Sequence, residues 1–169
     1  MNINYREIIP RDFADDSRVW IYQGDRSFTE SEIKEIDRAL KEFAAKWNSH
    51  GDKVKGFAGL FFGQFIIFMA DETATGVSGC STDSSVRLVK SIGQQYQASL
   101  FERHQLAFLI QDKTTIIELN KFGQAVEDKL INGDTPYFNN TVLSKKEFLE
   151  KWIIPVKESW LGKKILNTS

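Results

Sequence analysis

The run Val77-Ser78-Gly79-Cys80-Ser81-Thr82-Asp83-Ser84-Ser85-Val86-Arg87 gathers small, hydroxylated and flexible residues between a strand-like and a helix-like segment. A helix start presents backbone N–H groups that lack intrahelical acceptors, at the positive end of the helix dipole, and so favours an anion. In that setting Gly79 admits a close backbone approach, and Ser81, Ser84 and Ser85 offer hydroxyls. Arg87 adds a cation if the loop folds back. The expected ligand carries a phosphate or a carboxylate. A plainer reading makes Ser81 or a neighbour the N-cap, Asp83 a complement to the dipole, and Asp83 with Arg87 an exposed i,i+4 ion pair.

The same run holds Cys80, the only cysteine. Helix starts favour thiolates, the nucleophilic form of the side chain, so Cys80 is a candidate catalytic residue if a base stands nearby. His50 and His104 are the two histidines. His50 precedes Gly51 at the end of a predicted helix, where it reads more simply as a cap on the last carbonyls. Cys80 in turn reads as a small thiol packed between strand and helix. Asp71-Glu72 at a strand end offers a general acid/base pair or part of a cation site, against the plainer reading of a solvated turn. No metal site is expected, because one cysteine and two separated histidines make no familiar ligand spacing. No cofactor is expected either: GxxxxGK[ST], GxGxxG and GxSxG are all absent from the chain.

Periodicity supplies the elements that would position these residues. Arg18 to Tyr22 alternates as a strand, and Thr29 with Glu32 forms a capping box ahead of Ile33, Ile36, Leu40, Phe43 and Trp47. On the other side of that helix, Glu30/Lys34, Asp37/Lys41 and Glu42/Lys46 fall at i,i+4. Val54 to Phe62 and Gln64 to Asp71 read as strands joined near Gly63, followed by a polar turn over Glu72 to Gly76 and a short strand at Val77. A second helix is predicted over Ser81 to Leu100, burying Leu88, Val89, Ile92, Tyr96 and Leu100. Ser81 and Ser85 lie near that face and Asp83 and Arg87 opposite. Gln105 to Gln111 and Thr114 to Leu119 read as a hairpin, and Lys121 to Ile131 as a weaker helix closed by Gly133. Ser144 with Glu147 caps a last helix carrying Phe148, Trp152, Val156 and Trp160, which Pro155 kinks or splits.

This order predicts an α+β fold: one layered domain over 1–169, with a mainly antiparallel or mixed sheet and helices on one face. A ferredoxin-like core fits it, with a polar leader at 1–16 and an aromatic-rich, helical C-terminal extension at 136–169. In that extension Tyr137, Phe138, Trp152, Ile153, Ile154, Val156 and Trp160 carry apolar area. It packs on the domain's own sheet or forms a homodimer or partner-binding face. Asn139-Asn140 reads most simply as a turn, with side-chain amides that line the serine-rich pocket as the alternative.

Composition narrows the partners. A net charge of −1, from 22 basic and 23 acidic residues, provides no field for nucleic acid or an anionic membrane. The longest apolar runs span about six residues, against roughly 18 for a membrane helix. The single cysteine and a start without a basic and apolar leader point to a cytoplasmic setting. Acceptor patterns for N-glycosylation at Asn139 and Asn167 have no meaning there.

The segments GVSGCSTDSSVR, SRVWIYQGDR and PYFNN, with the closing W-x-x-P-x-K-E-S-W, resemble a family of small uncharacterised bacterial proteins often labelled ABC transporter ATPase. The likeness spans most of the chain. That label implies a phosphate loop and a signature motif that this sequence does not contain, so the resemblance brings a bacterial cytoplasmic setting and no catalytic residue. The sequence therefore points first to a domain binding a small anion or a protein around Gly79 to Arg87. The alternatives are a Cys80-dependent enzyme and an interaction protein using Trp152 to Trp160.

Overall fold

Strict alternation along the strands divides the apolar side chains between three packed zones. The computed structural model describes residues 4–166. In chain order these form α1 (Tyr5–Ile8), β1 (Arg18–Gln23), α2 (Glu30–Lys46), β2 (Asn48–Ser49), β3 (Asp52–Lys53), β4 (Lys55–Phe61) and β5 (Phe65–Asp71). After these come α3 (Gly79–Tyr96), β6 (Gln105–Ile110), β7 (Lys113–Glu118), α4 (Phe122–Glu127), β8 (Pro136–Phe138), α5 (Lys145–Lys151), β9 (Ile153–Pro155) and α6 (Gly162–Leu166). One sheet has the order β1-β5-β4 and another β7-β6-β8-β9, while β2 and β3 make a separate small hairpin.

In the central strand β5, Ile66, Phe68 and Ala70 face α2 and α3 in one apolar cluster, together with Ile36, Leu40, Val89 and Ile92. The intervening Phe65, Ile67 and Met69 face the second sheet, meeting Ala107, Phe138, Phe148 and Trp152. Every residue of β5 is buried for this reason. The far side of the second sheet packs Leu106, Phe108 and Tyr137 against Phe122, Val156 and Leu161. Helices α2 and α3 therefore cover the outer face of the first sheet and α4 and α6 that of the second, while α1 and α5 join the cluster where the two sheets meet face to face.

The α+β class holds, with antiparallel pairing throughout the strands. The ferredoxin-like option does not: a split β-α-β core needs parallel neighbours, whereas β1 runs antiparallel to β5, with Trp20 opposite Phe68. Residues 136–166 are helical only in part, since α5 and α6 alternate with the strands β8 and β9. Pro155 ends a strand, Ile154 pairs with Tyr137, and β8 joins the second sheet at Phe108. The leader is not merely polar, since Tyr5, Ile9 and Phe13 are buried in the cluster around Trp152. Lys145, itself buried, fastens that leader by donating from Nζ to the carbonyls of Pro10 (2.9 Å) and Phe13 (2.7 Å).

Helix α2 begins at the predicted capping box, with Thr29 N–H donating to Glu32 Oε1 at 2.8 Å. Arg26 forks onto the same carboxylate, and this hydrogen bonding holds Glu32 down to about 2. Of the three predicted i,i+4 pairs, Asp37–Lys41 is the one formed among the described residues. Among those residues no helix is long and apolar enough to cross a membrane. Asn139 donates its amide to Lys151 O, and Asn167 lies outside the described residues.

Candidate functional site

Helix α3 starts two residues earlier than its apolar pattern suggests. Ser78 is extended (φ −79°, ψ 168°), and its Oγ accepts the N–H of Ser81 at 3.2 Å. The N–H of Thr82 then returns to Ser78 O at 3.0 Å, opening the intrahelical ladder. Val77 forms no strand, because its N–H is taken by Glu72 Oε1 at 3.1 Å. At the other end Gln97 adopts a left-handed conformation (φ 53°), so the helix stops at Tyr96 and leaves Leu100 buried beyond it.

The serine hydroxyls are turned toward the main chain. Ser81 Oγ donates to Asn48 O (2.5 Å), Ser84 Oγ to Ser81 O (2.7 Å), and Ser85 Oγ to Thr82 O (2.6 Å). Ser81 and Ser85 are buried, as their place near the apolar face implies. A cradle built from these three hydroxyls is therefore not what the geometry offers, because each proton already has an acceptor. The N–H groups of Gly79 and Cys80 have no acceptor among the described residues.

Opposite the helix start lies the end of α2. Its last turn leads into Trp47, whose Nε1–H donates to Ser81 O at 3.0 Å. The chain then reverses through His50 (φ 52°) and Gly51 (φ 86°), a pair of left-handed residues suited to a two-residue hairpin turn. His50 thus sits in a turn between β2 and β3 and caps no helix. Ser81 is the joint of the two segments: its hydroxyl meets Asn48 O while its carbonyl receives the indole of Trp47.

A cleft of about 340 Å³ results, lined by the cap Ser78 with Cys80, Ser84 and Arg87 from α3, and by Lys46, Trp47, Asn48 and His50 opposite. Cys80, Ser84 and Arg87 follow one another at helical spacing on one face, so Arg87 reaches the cleft without any folding back. Arg87 and Asp83 form no ion pair among the described residues, and no acidic side chain lines the cleft. Cys80 is exposed, so it is not a packing thiol. No hydrogen bond joins its Sγ to His50, and His104 lies beyond α3, just before β6. No three His, Cys, Asp or Glu side chains among the described residues converge in a way that could hold a metal ion.

Asp71 and Glu72 act as staples for the loop that leads to Ser78. Asp71, nearly buried, accepts from the Thr73 hydroxyl (2.6 Å), Thr73 N–H (3.0 Å) and Ala14 N–H (3.0 Å), while Glu72 pairs with Arg18 at 3.2 Å. Neither is a free acid/base group. Asn140 also lies elsewhere, bonded to Gln23 on the far side of β1 and not to the serine-rich loop. Trp152 and Val156 are fully buried, which removes them as anchors for a partner and leaves Trp160 exposed.

The wall behind the cleft depends on a small residue that the sequence does not advertise. A Cβ added at Gly56 would stand 2.6 Å from Cε3 of Trp47. Gly56→Ala is expected to cost about 1–3 kcal/mol, as overpacking does, and to move the indole off Ser81 O. Urea unfolding and the Trp emission spectrum read both effects; an unchanged midpoint with unchanged emission would show that Trp47 is not held there.

No family model matches the chain, and neither the curated proteins nor the solved structures contain a match to it.

Proposed function

We propose that this chain is a binding domain that captures a small anion, a phosphate- or carboxylate-bearing metabolite, in the cleft at the start of α3. The observation that supports the reading is the lining: Lys46, His50 and Arg87 face one cavity that holds no acidic side chain, beside two uncapped N–H groups. The donors are thus basic side chains and main chain, in place of the serine hydroxyls. A reducing cytoplasmic setting fits an exposed thiol that has no disulfide partner.

An anion held this way stabilises the native state by mass action, by about 2.7 kcal/mol at a hundred times its dissociation constant. In a panel of phosphate esters and dicarboxylates, at least one should raise the melting temperature in a concentration-dependent way. Arg87→Ala and Lys46→Ala should each remove most of that shift while leaving the ligand-free melting temperature within a few degrees, since both side chains are exposed. A shift that survives both substitutions would place the anion elsewhere.

A Cys80-dependent enzyme draws support from the cleft that thiol and imidazole share, and the support stops there. A nucleophile needs its base within hydrogen-bond reach and a donor for the developing oxyanion. The Cys80 N–H is such a donor, but no base is bonded to the sulfur.

A further inference from the structure

A second cleft, of about 590 Å³, opens on the other side of β1, where the two sheets part. Strand β8 stays beside β6 at Phe108 and Tyr137, after which the chain turns away through Asn139, Asn140 and Thr141. The gap lies between the end of β1 and the beginning of β6. We propose that it is a binding site for an uncharged, hydroxyl-rich ring, that is, a saccharide.

The floor is a chain of amides. Trp152 Nε1–H donates to Asn140 Oδ1 (3.0 Å), Asn140 Nδ2 to Gln23 Oε1 (2.9 Å), and Gln23 Nε2 to Gln105 O (3.0 Å). These bonds fix which end of each amide is donor and which is acceptor. An amide carries two N–H groups and two oxygen lone pairs, so Asn140 and Gln23 each keep one of both. A neutral floor that alternates donor and acceptor matches hydroxyl groups, which are both at once. An aliphatic ligand would cover that capacity without using it, at the cost of desolvating polar groups.

The rim is aromatic. Phe101 and Trp160 are each 46% exposed, and they are the only aromatic members among the large exposed apolar side chains of the described residues. Both border this one cleft. Trp160 is not loose: its Nε1–H donates to the Tyr137 hydroxyl at 3.1 Å, which orients the indole. The C–H face of a pyranose is apolar and slightly positive, and it suits the electron-rich face of an oriented indole. A planar heterocycle gains most when sandwiched between parallel rings, and here Tyr22 and Phe101 meet at 65°, which offers no such slot. Charge does not favour an ionic ligand, because Glu102 and Arg103 stand together at the mouth. The volume falls within the usual range for small-molecule sites, about 300–1,000 Å³.

The test is a ¹H–¹⁵N NMR titration of the intact chain with cellobiose, maltose, lactose and chitobiose, each to about 10 mM, enough to fill a site whose dissociation constant is about 1 mM. Adenosine and inorganic phosphate are the control arms. At least one disaccharide should shift the Trp160 indole N–H and the Gln23 and Asn140 side-chain amides saturably, with phosphate leaving them unmoved. Trp160→Ala and Phe101→Ala should each weaken that binding about tenfold or more, the loss of one aromatic anchor. Both replaced rings are half exposed, so the amide spectrum should otherwise keep its dispersion. Three results would overturn the proposal: no saturable shift from any disaccharide, cleft shifts produced by adenosine alone, or full affinity retained in both variants.

Discussion

Trp152→Ala should destabilise the native state by about 3–5 kcal/mol, the range for deleting a large aromatic from a closed core. The indole is fully buried where the two sheets, the leader and α5 converge. It stacks on Phe148 (centroids 4.7 Å apart) and meets Tyr5 (5.1 Å) and Phe65 (5.3 Å) edge-on. Its loss opens a cavity that the surrounding rings, Tyr5, Phe61, Phe65, Phe138 and Phe148 from five different elements, cannot all close, and it strips Asn140 Oδ1 of its donor. Since whole domains are stable by only about 5–15 kcal/mol, a single substitution of this size removes a large share. Trp152→Phe should be milder, because it keeps most of the ring contact and loses the N–H. Urea midpoints of the two variants decide the matter: a loss below about 1 kcal/mol for the alanine would mean that the clusters do not depend on this residue.

That dependence was only partly legible in the chain. The aromatic wealth of residues 137–160 showed that something must be buried there, but helical spacing of Phe148, Trp152, Val156 and Trp160 suggested one face of one helix. The four residues instead occupy a helix, its end, a short turn and the following loop, because Pro155 terminates a strand that takes up Ile153 and Ile154. Three-residue strands such as β8 and β9 have too few positions to show a period, and their pairing is fixed by Phe108 and Tyr137 across the sheet. Long elements were legible for the converse reason. Thr29 with Glu32, and the repeat from Ile33 to Leu40, are local and sustained, so α2 forms as its pattern implies.

At the site, the residue types in Gly79 to Arg87 were readable and their hydrogen bonds were not. Local back-bonding gives Ser84 and Ser85 acceptors within their own helix, a competition that sequence spacing permits but does not decide. The acceptor of Ser81, Asn48 O, lies 33 residues away on a hairpin too short to announce itself. The sequence presents Lys46 only as half of an i,i+4 charge pair with Glu42. Its place in the cleft follows from α2 ending at Lys46 itself, with Trp47 next in the chain docking its indole on Ser81 O.

Asp71→Asn should cost about 2–3 kcal/mol near neutral pH, the worth of hydrogen bonds to a buried charge when only some survive in the amide. In the native state the Thr73 hydroxyl, the N–H groups of Thr73 and Ala14, and then Lys55 Nζ at 3.6 Å hold this carboxyl far below its ordinary 3.8. The folded state therefore binds fewer protons than the unfolded chain between the two values, and stability rises with pH across that interval. The contribution is complete above the ordinary value and is lost progressively as the pH falls through it toward the folded one. The native protein should accordingly weaken steeply below about pH 4, and Asp71→Asn, which has no proton to take up there, should weaken less. Urea unfolding of both proteins at about pH 7 and about pH 3 gives the two differences; the gap between them must shrink at the lower pH. A gap that stays constant would show that the charge of Asp71 is not what secures the loop from Glu72 to Val77. The same loop delivers Ser78 to its capping position, so the variant should also lose part of any anion-induced thermal shift. Loss of that shift with stability intact would instead mean that Asp71 acts on the cleft directly.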